Sequence, residues 1–295
     1  MKSNYGLIAN LTKFNAVPVA QSIVNYLKKK HLSLWVEKEA NQTLKLKNVQ
    51  VGSLQDIFKQ ASALIALGGD GTILNLVRQM RGHSLPILGV NLGGLGFLTE
   101  VRIRELERAL QKLISKKYTV EKRMMLEAQV IRDKKLFASY TALNDVVVTN
   151  GALARLIHLN VFMDKEYVTS YLADGLIVSS PTGSTAYSLS SGGPIVHPST
   201  QAILMTPVSP HTLTNRPIVV PDKSVLEVQV QNPKEGAYLT VDGQVGLVLK
   251  SNDFVQIKKL KQCAKLILLN ENSYFGILRE KLSWGQIPSQ TQKSK

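Results

Sequence analysis

Ala63-Leu64-Ile65-Ala66-Leu67-Gly68-Gly69-Asp70-Gly71-Thr72 is a compact apolar run that ends on three glycines within four positions. A short apolar run closed by glycine reads as a strand buried on both faces. Thr72–Arg81 continues with helical spacing, so the stretch is strand, turn, helix. Glycines permit a sharp turn and a close backbone approach by a ligand. The free N–H groups and positive dipole end of the following helix can hold a phosphate. Asp70 is the informative residue. A carboxylate beside a phosphate repels it unless it binds a metal or takes a proton from an attacking hydroxyl. Taken alone, the turn also reads as a tight bend with an Asp cap, and Thr72 as an N-cap. The pattern GxxxxGK[ST] is absent, so a triphosphate would be held without a Walker lysine.

Outward from this stretch the first third alternates strand and helix. Tyr5–Ala9, Leu32–Val36 and Ile87–Val90 read as strands, and Val17–Lys29, Gln55–Gln60 and Leu106–Lys116 as helices. The alternation predicts a parallel sheet covered by helices. Asn91-Leu92-Gly93-Gly94-Leu95-Gly96-Phe97 follows the strand at Ile87–Val90, at the carboxyl end where open α/β sheets bind ligands. By itself it is as readily a plain loop.

Near Tyr118 the character changes to β-branched runs separated by turns. These are Ala128–Ile131, Val146–Thr149, Leu156–Phe162, Leu176–Ser179, Ile218–Val220, Val225–Val230, Tyr238–Val241 and Val255–Ile257. The expected organisation is a Rossmann-like α/β nucleotide-binding domain over 1–120 and an all-β, sandwich-like domain over 121–262. Leu266–Leu269 and Ser273–Leu282 read as strand and helix, so 263–295 is expected to return to the first domain. No internal repeat at solenoid periods occurs.

Composition narrows the class. With 295 residues, 44% hydrophobic and 19% charged, the chain has a globular profile with ample core. No stretch of ~18 apolar residues exists, and MKSNYGLIAN has too short an apolar run for a secretory signal. A single cysteine, Cys263, excludes an intramolecular disulfide and a thiolate metal cage; it reads as a small buried hydrophobe in a reducing cytoplasm. The 36 Lys and Arg against 21 Asp and Glu imply anionic partners. The basic clusters lack the aromatic interleaving of a single-strand nucleic-acid binder, and charge alone does not choose between ligand classes.

From Gly175 to Asn215 there is no Lys, Arg, Asp or Glu. The stretch is rich in Gly, Ser, Thr and Pro, which suits backbone closely approached by a ligand, with neutral hydrogen-bonding groups. Asn144-Asp145, just before Val146-Val147-Val148, is a polar pair at the start of a buried strand and needs hydrogen bonds from a ligand or from protein neighbours. His197 and His211 have no second ligand at metal spacing and read as structural. Neither a GxSxG elbow nor HExxH is present.

The segment Ala173-Asp174-Gly175-Leu176-Ile177-Val178-Ser179-Ser180-Pro181-Thr182-Gly183-Ser184-Thr185-Ala186-Tyr187-Ser188-Leu189-Ser190-Ser191-Gly192-Gly193-Pro194 is the most specific signal. With GGDG before it, the Asn-acid pair, and Asp242-Gly243-Gln244 after it, the chain resembles the NAD kinase family from Gly68 to Gln244. The resemblance continues weakly into Ser283-Trp284-Gly285.

That resemblance implies phosphoryl transfer from ATP, another triphosphate or polyphosphate to the 2′-hydroxyl of the adenosine ribose of NAD. Asp70 resembles the proton acceptor, and Asp70 and Gly71 would contact the dinucleotide. Asn144 and Asp145 resemble the pair that binds the ribose hydroxyls, and Arg155 a basic position answering the substrate's charge. Asp174, Thr185, Ala186, Tyr187, Ser188, Leu189, Ser190 and Gln244 resemble further contacts, with Tyr187 offering an aromatic face. Where the family commonly has Glu, Asp145 is one methylene shorter; Leu172 stands where relatives carry a polar residue and is assigned no contact. A divalent cation, Mg²⁺ by expectation, would arrive with the substrate phosphates rather than in a dedicated cage. NAD and ATP are the expected partners, with no nucleic acid and no membrane, in a homodimer or homotetramer. Two alternatives are a lipid kinase sharing the GGDGT turn, and a non-catalytic anion or nucleic-acid binder suggested by the charge.

Overall fold

The computed structural model describes residues 4–94, 96–151, 156–212, 214–231, 236–269 and 273–283. By internal contacts the chain divides into two units: Met1–Leu76, Leu85–Glu121 and Lys265–Lys295 form one, and Val77–Ser84 with Lys122–Ala264 the other.

In chain order the α/β part runs β1 (Asn4–Ala9), α1 (Ala16–Lys29), β2 (Ser33–Glu37), α2 (Lys38–Leu44), β3 (Gln50–Gly52), α3 (Leu54–Gln60), β4 (Ala63–Gly68), α4 (Asp70–Gln79), β5 (Pro86–Asn91), β6 (Val101–Arg102), α5 (Leu106–Ile114) and β7 (Thr119–Arg123). The all-β part is β8 (Leu126–Arg132), β9 (Lys135–Ala142), β10 (Asp145–Asn150), β11 (Ile157–Met163), β12 (Glu166–Ala173), β13 (Gly175–Ser179), α6 (Tyr187–Ser190), β14 (Ala202–Val208), β15 (Ile218–Pro221), β16 (Leu226–Gln231), β17 (Ala237–Val241), β18 (Val245–Leu249) and β19 (Phe254–Lys259). β20 (Ala264–Leu268) and α7 (Tyr274–Leu282) close the chain.

The first sheet has the order β3-β2-β1-β4-β5-β20-β7, with β6 also on β5. β1 pairs with β2 and β4, and β4 with β5, all parallel. β4 is buried at every position, as a central parallel strand covered on both faces must be. β20 joins the same sheet parallel to β5, so this strand returns to the first sheet. Its helices bury one stripe: in α1, Val19, Ala20, Ile23, Val24 and Leu27 meet the core.

The second part stacks two antiparallel sheets, β15-β14-β13-β10-β17-β18 and β12-β11-β16-β19-β8-β9. Alternate residues of both, such as Val146 and Val148 of β10 and Leu159 and Val161 of β11, fill one shared apolar core. α2, α6, β3, β6, β7, β9, β12, β14 and β18 are additional to the elements read from the sequence. Most are edge or second strands, whose exposed faces weaken the apolar signal; β12, for example, is largely exposed or half-buried. Thr72 is not an N-cap. The helix starts two residues earlier, at Asp70, and Thr72 lies inside its first turn with its N–H bonded to the Gly69 carbonyl at 2.9 Å.

Candidate active site

β10 carries the centre of the site. Its side chains alternate, so Val146 and Val148 enter the sandwich core while Asp145, Val147 and Thr149 point to the other face. Those three residues, with Asn144, Thr240, Asp242, Gly243, Ala186 and Tyr187, line a cleft of about 440 Å³. Thr240 lies there because it is the cross-strand partner of Val147.

The floor is set by a hairpin turn. Asp242 and Gly243 both adopt left-handed backbone, φ 50° and 64°, and the Gln244 N–H bonds back to the Val241 carbonyl at 3.0 Å. Left-handed backbone at both central residues of a turn is what Asp-Gly favours, and here it lies within the three-residue connection Asp242–Gln244 between β17 and β18. It turns the Asp242 carboxylate onto the start of β10. There the carboxylate accepts from the N–H groups of Leu143 (2.9 Å), Asn144 (2.8 Å) and Asp145 (3.1 Å).

Asp145 and Asp242 are each only 5% exposed. Burial, then the Asp242 charge, pushes the Asp145 carboxyl up to about 7. Burial also raises Asp242, opposed by its three backbone donors and by the Arg78 cation. Ser179 of β13 is directly opposite Asp145, fully buried, and its hydroxyl has no partner among the described residues.

The uncharged segment forms the adjoining wall. A 3₁₀ turn, Thr182–Thr185, leads into α6. Its hydroxyls are mostly spent on the fold. Ser180 donates to the Leu143 carbonyl at 2.5 Å, Ser184 donates to the Pro181 carbonyl at 2.7 Å, and Ser188 shares a hydrogen bond with Thr206 at 2.8 Å. Gly183 sits against the Asn144 backbone so closely that a Cβ would lie 2.5 Å from the Asn144 carbonyl carbon. That contact is why a glycine is required there. Tyr187 is 44% exposed on the cleft wall.

Of the residues expected from the sequence, Asn144, Asp145, Ala186 and Tyr187 therefore share one cleft. Thr185 and Leu189 are half-buried, Ser188 is buried, and Ser190 and Gln244 are exposed; none of these five is among the lining residues. Asp174 is half-buried before β13 and accepts from the Asn150 amide at 3.3 Å. Arg155 lies outside the described residues. Val147, Thr149, Thr240, Asp242 and Gly243 were not anticipated. The two-residue period of β10 marks Val147 and Thr149 once Asp145 faces the cleft, and Asp242 stands two residues before Gln244.

Asp70 belongs to the α/β unit. It opens α4, and its carboxylate receives the Phe97 N–H on Oδ2 (2.8 Å) and the Leu98 N–H and Thr99 hydroxyl on Oδ1 (3.0 and 3.2 Å). The second glycine-rich loop is thus tied to the first. Asn91 braces it, donating to Thr99 at 2.7 Å and accepting from Gly93 N–H at 2.8 Å. Oδ2 keeps a lone pair for another donor or a cation. Among the described residues no three His, Cys, Asp or Glu gather as a metal cage. His197 instead bonds Ser199 through Nδ1 at 2.7 Å. No described helix is long and apolar enough to cross a membrane.

Residues 5–118 match the ATP-NAD kinase N-terminal domain and residues 143–269 the ATP-NAD kinase C-terminal domain. The chain belongs to the NAD kinase family. It is 45% identical to an NAD kinase of Moorella thermoacetica over 280 residues, 95% of this chain and 89% of that protein. With the NAD kinase of Syntrophotalea carbinolica it shares 40% over 287 residues, 95% and 98% of the two chains. The crystal structure of yeast NADH kinase complexed with NADH superposes with a TM-score of 0.87 at 29% identity, covering 100% of this chain and 90% of that one. An Archaeoglobus fulgidus NAD kinase in complex with ATP shares the fold, with a TM-score of 0.74 at 23% identity, covering 95% and 98%. As an NAD kinase, this enzyme phosphorylates NAD, and the lipid-kinase and non-catalytic alternatives fall away.

Proposed function

We propose that the cleft on β10 holds the adenosine ribose of NAD, and that Asp70 takes the proton of its 2′-hydroxyl as that oxygen attacks the γ-phosphorus of ATP. The observation that carries this reading is the Asn144-Asp145 pair, presented at the floor of a cleft by the Asp242 carboxylate. Asn144 offers an amide donor and acceptor, Asp145 a carboxyl, and Tyr187 an aromatic face for a base. The 2′-oxygen gains a bond to phosphorus as the bond to the ADP oxygen breaks, and the proton passes to Asp70. Positioning supplies most of the acceleration in such transfers.

A divalent cation would be held mainly by the substrate phosphates, where it would neutralise charge on the transferred group, and this leaves the remaining lone pair of Asp70 Oδ2 for the hydroxyl proton. The lone Cys263 supports a reducing, cytoplasmic setting. Incubation with NAD, ATP and Mg²⁺, read through an NADP-specific dehydrogenase, should yield NADP, and EDTA should abolish it. Absence of NADP with ATP, other triphosphates and polyphosphate alike would refute the reading. Light scattering tests the expected homodimer or homotetramer.

A further inference from the structure

The two carboxyl groups at the cleft floor are served unequally. Asp242 accepts three backbone N–H bonds, whereas no described group donates to the Asp145 side chain. Burial raises the Asp242 carboxyl, but three donors and the cation of Arg78 oppose that rise and favour an anion there. A second anion at Asp145, equally buried and beside the first, has nothing to offset its desolvation. We propose that Asp242 is the fixed anion and positioning residue of this floor, and that Asp145 meets the ribose as a neutral carboxyl.

A neutral carboxyl donates one hydrogen bond and accepts others, so it can pair with one ribose hydroxyl as donor and another as acceptor. It also adds no negative charge where the dinucleotide brings two phosphates. The rival arrangement is an ionised Asp145 accepting from both hydroxyls. The groups facing Asp145 decide between them. β17–β18 contributes the Asp242 charge, β13 the uncharged Ser179 hydroxyl, and α6 the Tyr187 phenol on the cleft wall. The rise of the Asp145 carboxyl to about 7 agrees with the unequal bonding.

This inference rests on the ribose occupying this cleft, and the test separates the two. The Kd of NAD for the full chain is measured by titration calorimetry from pH 5.5 to 8.5. Binding should weaken above about 7, by up to about tenfold per pH unit once the carboxyl ionises. Asp145→Asn should flatten the profile, because the amide cannot ionise. Asp242→Asn should move the inflection to lower pH by removing the repelling charge; if that variant does not fold, the Asp145→Asn profile decides alone. Affinity that rises with pH, or a profile unchanged by Asp145→Asn, overturns the neutral carboxyl while leaving the proposed function standing. Failure of the native chain to bind or phosphorylate NAD overturns the proposed function itself.

Discussion

Replacing Gly183 by alanine places a methyl group inside occupied space. The added Cβ would lie 2.5 Å from the Asn144 carbonyl carbon and 2.8 Å from its Cα, and closer still to the carbonyl oxygen. All three atoms are backbone, so no side chain can swing aside. The obstacle is also braced, since Asn144 donates its N–H to Asp242 and its carbonyl accepts from Ser180 N–H at 2.8 Å. Overpacking usually costs about 1–3 kcal/mol, and a rigid obstacle puts this case near 3 kcal/mol. Because the displaced residue is Asn144, NAD binding should weaken together with stability. Urea unfolding measures the first quantity, and the KM for NAD the second. Gly246→Ala in β18 is the control, because its Cβ meets nothing within 4 Å; its change should stay within about 0.5 kcal/mol. If Gly183→Ala matches that control in both assays, the close approach of the 3₁₀ turn to Asn144 does not constrain the site.

Asp70→Asn keeps shape but cannot take the hydroxyl proton, so turnover should fall roughly 10²–10⁴-fold; near-native turnover would remove the general base, and recovery in excess Mg²⁺ would make Asp70 a metal ligand first. Arg132 forks onto Asp253 at 2.6–3.2 Å, and the Asp253 side chain is 2% exposed. Arg132→Ala strands that charge, and urea unfolding should report a loss of about 3 kcal/mol; a loss below about 1 kcal/mol would mean water reaches Asp253. Asp145, raised from 3.8 to about 7 in the folded state, binds more proton folded than unfolded, so it draws down stability as pH climbs through that window. Asp145→Asn should therefore gain stability relative to the native chain from about pH 4 to 7 and hold the gain above; parallel stability profiles would show that Asp145 is ionised in the free protein.

Much of this protein is legible one segment at a time. Ala63–Leu67 must be a strand covered on both faces, because five successive apolar residues leave no face for water. The glycines after it fix a turn into a helix, and the uncharged run from Gly175 to Asn215 marks a stretch that lines the cleft through Ala186 and Tyr187. What local pattern does not hold is the partner of each polar group. The neutral run reads as a set of hydroxyls open to a ligand, yet Ser180, Ser184 and Ser188 hold the turn itself. Asp70 reads as a carboxylate set beside a phosphate, yet folding also brings Phe97, Leu98 and Thr99 to it. Asp242 is the clearest case, because its bonds reach back 97 to 99 residues, to the N–H groups of Asp145, Asn144 and Leu143. Such a contact depends on the register of β10 against β17, and a slip of one residue would turn Asp145 into the core and Val146 toward the cleft. Register is set where Val146 and Val148 find the opposing sheet, so only the packed sandwich decides which carboxyl receives the backbone N–H groups and which is left without a donor among the described residues.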